Sequence, residues 1–260
     1  MIGIFDSGVG GLSVLKEVVK LLPNRNTCYV ADTANCPYGT KAAGEVLRLS
    51  IHVVDFLLDK GCNIIIVACN TATSAAIDEL RVRYPDVPFV GMEPAVKPAA
   101  QHSHTKRIGI LATAGTVKGR LFNQTKERYA ADVKVYAVVG AGLVELVEEG
   151  KAESEEVENL LRIYLQPMLE DGVDELVLGC THYPFLQKAI EKITQGRMDI
   201  VNPTPAVAAQ TKRLMEQKGL LSAVEGKVEY LFYSSGNVEG LRMMQEQHVP
   251  LVGAKYGQMP

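Results

Sequence analysis

The sequence predicts an α/β protein of two similar α/β lobes with mainly parallel central sheets and a functional site in the cleft between them. Three observations carry this. Short continuous apolar runs alternate with longer amphipathic stretches. The opening pattern returns further on: Ile2-Gly3-Ile4 with Ser7 is matched by Ile108-Gly109-Ile110 with Thr113, an offset of 106. Two cysteine segments, IIIVACNTATS (64–74) and ELVLGCTHYPF (175–185), end apolar runs in the same way. Unbroken apolar runs are what strands covered on both faces of a parallel sheet show.

In order, IGIF (2–5) reads as a strand and LSVLKEVVKLL (12–22) as the amphipathic helix after it. TCYVA (27–31), NIIIVA (63–68) and PFVGM (88–92) are further strands, with EVLRLSIHVVDFLLDK (45–60) a long helix among them. RIGIL (107–111), VKVYAVV (133–139) and ELVLG (175–179) continue the strand series around the helix EEVENLLRIYLQPMLED (155–171). KVEYLFYSS (227–235) reads as a strand with a helix after Asn237, a segment expected to return to the first half. Two prolines in PAVKP (94–98) punctuate the pattern. The first lobe is therefore expected to comprise 1–95 plus about 210–260, and the second about 96–209.

With 260 residues, 47% hydrophobic and 22% charged, at a formal charge of -3, the chain is neither a disordered segment nor a basic nucleic-acid binder. No apolar run approaches the roughly 18 residues that cross a bilayer, so a cytoplasmic protein is expected. The five cysteines (Cys28, Cys36, Cys62, Cys69 and Cys180) form an odd set without CxxC spacing. That argues against a disulfide framework, a zinc site or a thioredoxin-like pair.

DSGVGGL (6–12) follows a strand and opens a helix, but Ser13 stands where a dinucleotide fingerprint needs its third glycine. Asp6 at this mouth repels phosphate, whereas Asp6 with Ser7 suits a substrate ammonium and nearby proton chemistry. ACNTATSAA (68–76) puts Cys69 where strand gives way to helix, so the helix dipole favours thiolate there. Its neighbours Asn70, Thr71 and Thr73 leave hydrogen-bonding groups at the strand end. GCTHYP (179–184) repeats the plan with Cys180, Thr181 and His182, a histidine close enough to trade protons with the thiol. Cys28 and Cys62, in or beside apolar strand starts, read as ordinary buried thiols. In TANCPYG (33–39), Pro37-Tyr38-Gly39 forms a rigid turn, either a plain loop or a pocket wall, and Cys36 stays undecided.

As an ordered set, DSGVGGL, D-x-x-N-x-PYG (32–39), ACNTAT, G-x-x-PAVKPA (91–99), ATAGTV (112–117) and LGCTHYPFL (178–186) resemble the glutamate racemases, across roughly residues 2–215. The resemblance implies a cofactor-independent racemase of L- and D-glutamate serving cell-wall synthesis. It implies catalytic thiols at Cys69 and Cys180. It implies substrate contacts at Asp6, Ser7, Pro37, Tyr38, Gly39, Asn70, Thr71, Thr113, Thr116, Thr181 and His182. An acidic residue assisting His182 corresponds to Glu145, with Glu148 and Glu149 close by. Asn202 stands where many members carry an acid. The resemblance further implies a homodimer, no metal and no nucleic-acid partner. A racemase for aspartate or another amino acid, a non-catalytic two-lobe amino-acid-binding protein, and a redox pair of Cys69 with Cys180 are the alternatives.

Overall fold

The apolar runs become ten strands in two all-parallel sheets in the computed structural model, which describes residues 1–221 and 226–260. The strands are β1 (Ile2–Asp6), β2 (Thr27–Ala31), β3 (Ile64–Val67), β4 (Phe89–Gly91), β5 (Arg107–Ala112), β6 (Lys134–Val139), β7 (Glu175–Gly179), β8 (Asp199–Val201), β9 (Tyr230–Ser234) and β10 (Lys255–Gln258). The helices are α1 (Leu12–Leu21), α2 (Ala43–Asp59), α3 (Asn70–Arg83), α4 (Val96–His102), α5 (Ala114–Lys118), α6 (Arg120–Tyr129), α7 (Leu143–Glu148), α8 (Glu155–Glu170), α9 (Gln187–Thr194), α10 (Thr204–Gln217) and α11 (Val238–His248).

The first sheet has the order β10-β9-β2-β1-β3-β4 and the second β6-β5-β7-β8. Within each, the first strand of the unit lies between its second and third, so β2-β1-β3-β4 and β6-β5-β7-β8 are one plan used twice. The repeat seen in the sequence is this plan: β1 corresponds to β5, and β3 to β7. Such a strand order reverses direction at its central strand, and ligands collect outside the carboxyl ends there. Ser7 and Thr113 follow the central strands, and Cys69 and Cys180 follow the neighbouring ones.

Central strands are apolar over most of their length because both faces are covered. Ile4, Ile64 and Ile66 are fully buried in the same cluster as Leu12, Leu15 and Val18 of α1, while Phe5, Ile65 and Val67 pack with Val53, Val54 and Leu57 of α2. Ile66→Ala is expected to lower unfolding free energy by about 2–5 kcal/mol, read from denaturant midpoints, because β3 is clamped between β1 and β4 and cannot collapse into the cavity.

Two short edge elements, β8 and β10, were not expected from the sequence. Asp199-Ile200-Val201 and Lys255-Tyr256-Gly257-Gln258 are only three and four residues long and partly exposed. The PAVKP segment is also more ordered than a punctuating loop: Pro98 sits in the first turn of α4, where a missing N–H costs nothing. After β4 the chain leaves the first sheet, and α4 packs on β5, β7 and α6 of the second.

Candidate active site

Ser7 after β1, Cys69-Asn70-Thr71 after β3, Thr113 after β5 and Cys180-Thr181-His182 after β7 line one small cavity, together with Pro37, Tyr38, Gly39 and Val144.

On the first side, Cys69 caps α3, its Sγ accepting the Ala72 N–H at 3.5 Å, and its thiol donates to Ser7 Oγ at 3.8 Å. The helix start therefore does what the sequence suggested, but it does not win. Burial, followed by the nearby Asp6 charge, pushes the Cys69 thiol up to about 12, against the opposing pull of Ala72 N–H and Ser7. Cys69 rests as a thiol, not as the thiolate that dipole reasoning alone favoured. Tyr38 donates to Asp32 Oδ2 at 2.5 Å, which fixes the Pro37-Tyr38-Gly39 wall. Thr71 and Thr113 join across the halves at 2.9 Å. Thr116 lies behind them, paired with Thr113 Oγ1 at 2.9 Å and facing a neighbouring cavity instead of this one.

On the second side, Cys180 Sγ lies 3.6 Å from His182 Nδ1, and His182 Nε2 lies 2.6 Å from Glu148 Oε1. The acid holding His182 is thus Glu148 and not Glu145. Both stand on α7, three residues apart, and Glu145 faces the adjoining cavity beside Gly140 and Gly142. Burial opposes a charge on His182, but its hydrogen bonds to Cys180 and Glu148 hold it well above the usual imidazole range. Glu148 Oε1 also accepts the Val9 N–H at 2.7 Å, tying α7 to the loop after β1.

Asp6 is placed differently from the sequence expectation. It is fully buried beneath the cavity rather than at its mouth, accepting from Gly8 N at 2.9 Å and from Thr181 Oγ1 at 2.9 Å. Burial raises its carboxyl above the usual range, opposed first by His182.

The glycines of DSGVGGL also find their reason here. A Cβ on Gly8 would stand 1.9 Å from Glu148 Oε1, and one on Gly10 2.4 Å from His182 Nδ1. They are absent side chains that let groups from the other half approach the loop backbone. Ser13, the residue that spoiled the nucleotide fingerprint, donates to Thr181 O at 2.9 Å.

Asn202 lies outside the site and accepts from Thr204 N at 3.0 Å at the start of α10. Cys28 and Cys62 are buried under α2, and all five cysteines are free. Sequence reasoning missed Val144 as a cavity wall, since an apolar residue on an apolar helix face carries no distinguishing signal. It had Glu148 in view but ranked it behind Glu145. Among the described residues, no helix is long and apolar enough to cross a membrane.

Two parallel sheets of one plan bring Cys69 and Cys180 to one cavity, and the chain is a racemase, an isomerase. The Asp/Glu/Hydantoin racemase family model matches residues 2–211, and the chain belongs to that family. It is 43% identical over 241 residues to the glutamate racemase of Ectopseudomonas mendocina (strain ymp), covering 93% of this chain and 91% of that one. The crystal structure of glutamate racemase isoform RacE1 from Bacillus anthracis superposes with a TM-score of 0.88 at 28% identity, covering 100% and 98% of the two chains. Escherichia coli glutamate racemase, in complex with L-glutamate and the activator UDP-MurNAc-Ala, superposes with a TM-score of 0.86 at 30% identity, covering 99% and 96%.

Proposed function

We propose that the chain interconverts L- and D-glutamate by proton transfer between Cys69, Cys180 and the α-carbon, and thereby supplies D-glutamate for peptidoglycan. The observation that carries this reading is the pair of thiols lining one cavity from equivalent strand ends, in a chain whose relatives are glutamate racemases. Inverting a carbon centre needs a base on one face and an acid on the other. Two thiols supplied by two matched halves meet that need.

Cys69, pushed up by burial and by Asp6, is the acid. Cys180 is the base, because a cationic imidazole within reach is the neighbour that a thiolate nucleophile or base requires. Cys180 takes the α-proton of one enantiomer, and Cys69 delivers its own proton to the opposite face of the flat carbanion. The roles are then exchanged, which readies the site for the other enantiomer. His182, held by Glu148, positions and charges Cys180, and Asp6 acts on Cys69 through its field.

Among the described residues, neither Lys nor Arg lines the cavity. Substrate carboxylates therefore fall to the hydroxyls of Thr71, Thr113 and Thr181 and to the N–H groups that open α3. Asn70 donates through Nδ2 to Met92 O at 3.3 Å, but its buried Oδ1 has no partner among the described residues, which suits it to accept from the substrate ammonium. Residues 1–95 with about 210–260, and about 96–209, are read as the two lobes, each built on one sheet. A cytoplasmic homodimer completes this reading, with light scattering as the check on assembly.

The deciding experiment incubates the protein with L-glutamate in deuterium oxide and follows optical rotation and the α-proton together. Both signals should decay, and D-glutamate should reach the same racemic mixture. Retention of rotation with full enzyme, or a clear preference for aspartate, sinks the proposal. In a glutamate-bound crystal, the two sulfurs are expected about 6–8 Å apart with the α-carbon between them; a gap beyond about 12 Å is incompatible with one carbon serving both.

A further inference from the structure

We propose that Cys36, Glu148 and His182 form an inhibitory binding site for a thiophilic divalent cation, for which Zn2+ is the natural occupant. Their ligand atoms, one thiol sulfur, one carboxylate oxygen and one imidazole nitrogen, all lie within 4.8 Å of one another. It is the one such cluster among the described residues. Thiolate, imidazole and carboxylate are the donors zinc takes, and three of them leave the fourth tetrahedral position for water. With zinc–ligand bonds of about 2.0–2.3 Å, donors in such a site stand roughly 3.2–3.8 Å apart. The widest pair here must draw in by about 1 Å, and the His182–Glu148 pair, now at 2.6 Å, must open by about the same.

Cys36 is suited to this and to little else in the proton chemistry. It does not line the cavity, it makes no disulfide, and it precedes the Pro37-Tyr38-Gly39 wall on a loop of the first half. His182 is nearly inaccessible, with 2% of its side chain exposed, while Glu148 shows 19% and Cys36 is half-buried. Cys36 and Glu148 are therefore the accessible edge of the cluster.

Its arrival has two consequences. The ion takes the place of the proton between His182 and Glu148 and of the Cys36 thiol proton, both released to buffer, so the His182–Glu148 hydrogen bond that orients the imidazole beside Cys180 is broken. The ion also links the Cys36 loop of the first half to α7 and the loop after β7 in the second. That staple restrains any opening between the halves. The inhibitory consequence rests on the racemase reading above, whereas the binding does not.

The test measures both separately. Metal-stripped, reduced full-length protein is titrated with Zn2+ against a chromophoric chelator, and with Co2+ while the thiolate-to-cobalt absorption band is followed. One site per chain is expected. Cys36→Ser should weaken zinc by at least about tenfold and abolish the cobalt band, and Glu148→Gln should weaken zinc similarly. In the racemase assay, the zinc concentration for half inhibition should rise at least tenfold in Cys36→Ser, each protein being compared with its own zinc-free rate. Unchanged zinc affinity and cobalt band in Cys36→Ser, a band that instead vanishes in Cys180→Ser or Cys69→Ser, or no zinc binding at micromolar concentration would overturn the site. If racemisation is missing altogether, the two metal titrations still decide it.

Discussion

Cys69→Ser and Cys180→Ser are each expected to lose racemisation by about 10^2–10^4-fold or more while the protein keeps its fold. The substitution changes one atom in a buried, hydrogen-bonded position. Serine at 69 can still cap α3 toward Ala72 N–H, and serine at 180 can still meet His182, so thermal midpoints should move little. What disappears is acidity in the useful range, since an alkoxide is out of reach near neutral pH where a thiolate is not. Each variant should retain half of the chemistry. A glutamate analogue carrying a leaving group next to the α-carbon needs only one proton removed, so each single variant should eliminate from one enantiomer and not from the other. The two variants should show opposite preferences. Elimination from both enantiomers by one variant, or wild-type racemisation by either, would falsify the two-thiol assignment.

The fold was legible because parallel sheets leave a strong mark. Strands covered on both faces must be apolar along their middle, and β1, β3, β5 and β7 are, with charged residues only at their ends: Asp6 in β1, Arg107 in β5 and Glu175 in β7. β8 and β10 were not legible for the converse reason: edge strands of three or four residues have one protected side and no periodicity to read. Cys69 and Cys180 were legible because strand ends of a doubled plan had to coincide in space once the plan was recognised. The resting state of Cys69 was not. A helix dipole can be read from sequence, but burial and the Asp6 charge that overrides it are properties of the assembled site. Asp6 itself shows the same limit, because only packing tells whether a carboxylate at a strand end faces the ligand or, as here, lies behind the hydroxyl of Thr181 and accepts from it. Glu145 and Glu148 are one helical turn apart on the same face of α7, and choosing between them needs the position of α7 relative to His182.

Glu148→Gln separates charge from shape at that point, and it is expected to lower kcat by roughly 10^2-fold with a smaller change in KM. Glutamine keeps a carbonyl oxygen where Glu148 Oε1 stands, so it can still accept from Val9 N–H and from His182 Nε2. The loop after β1 stays docked, and the loss is electrostatic. Burial alone works against protonating His182; Cys180 and Glu148 are what hold it high. Removing one of these two supports lowers the imidazole pKa, so the imidazolium form persists over a narrower range. The alkaline limb of kcat should consequently move to lower pH in Glu148→Gln, while Glu145→Gln, which alters a carboxylate facing the adjoining cavity, should keep the parent profile. A purely structural role for Glu148 predicts a lower rate at every pH with an unmoved limb. An alkaline limb that shifts in Glu145→Gln and stays fixed in Glu148→Gln would return the assignment to the residue first expected from the sequence.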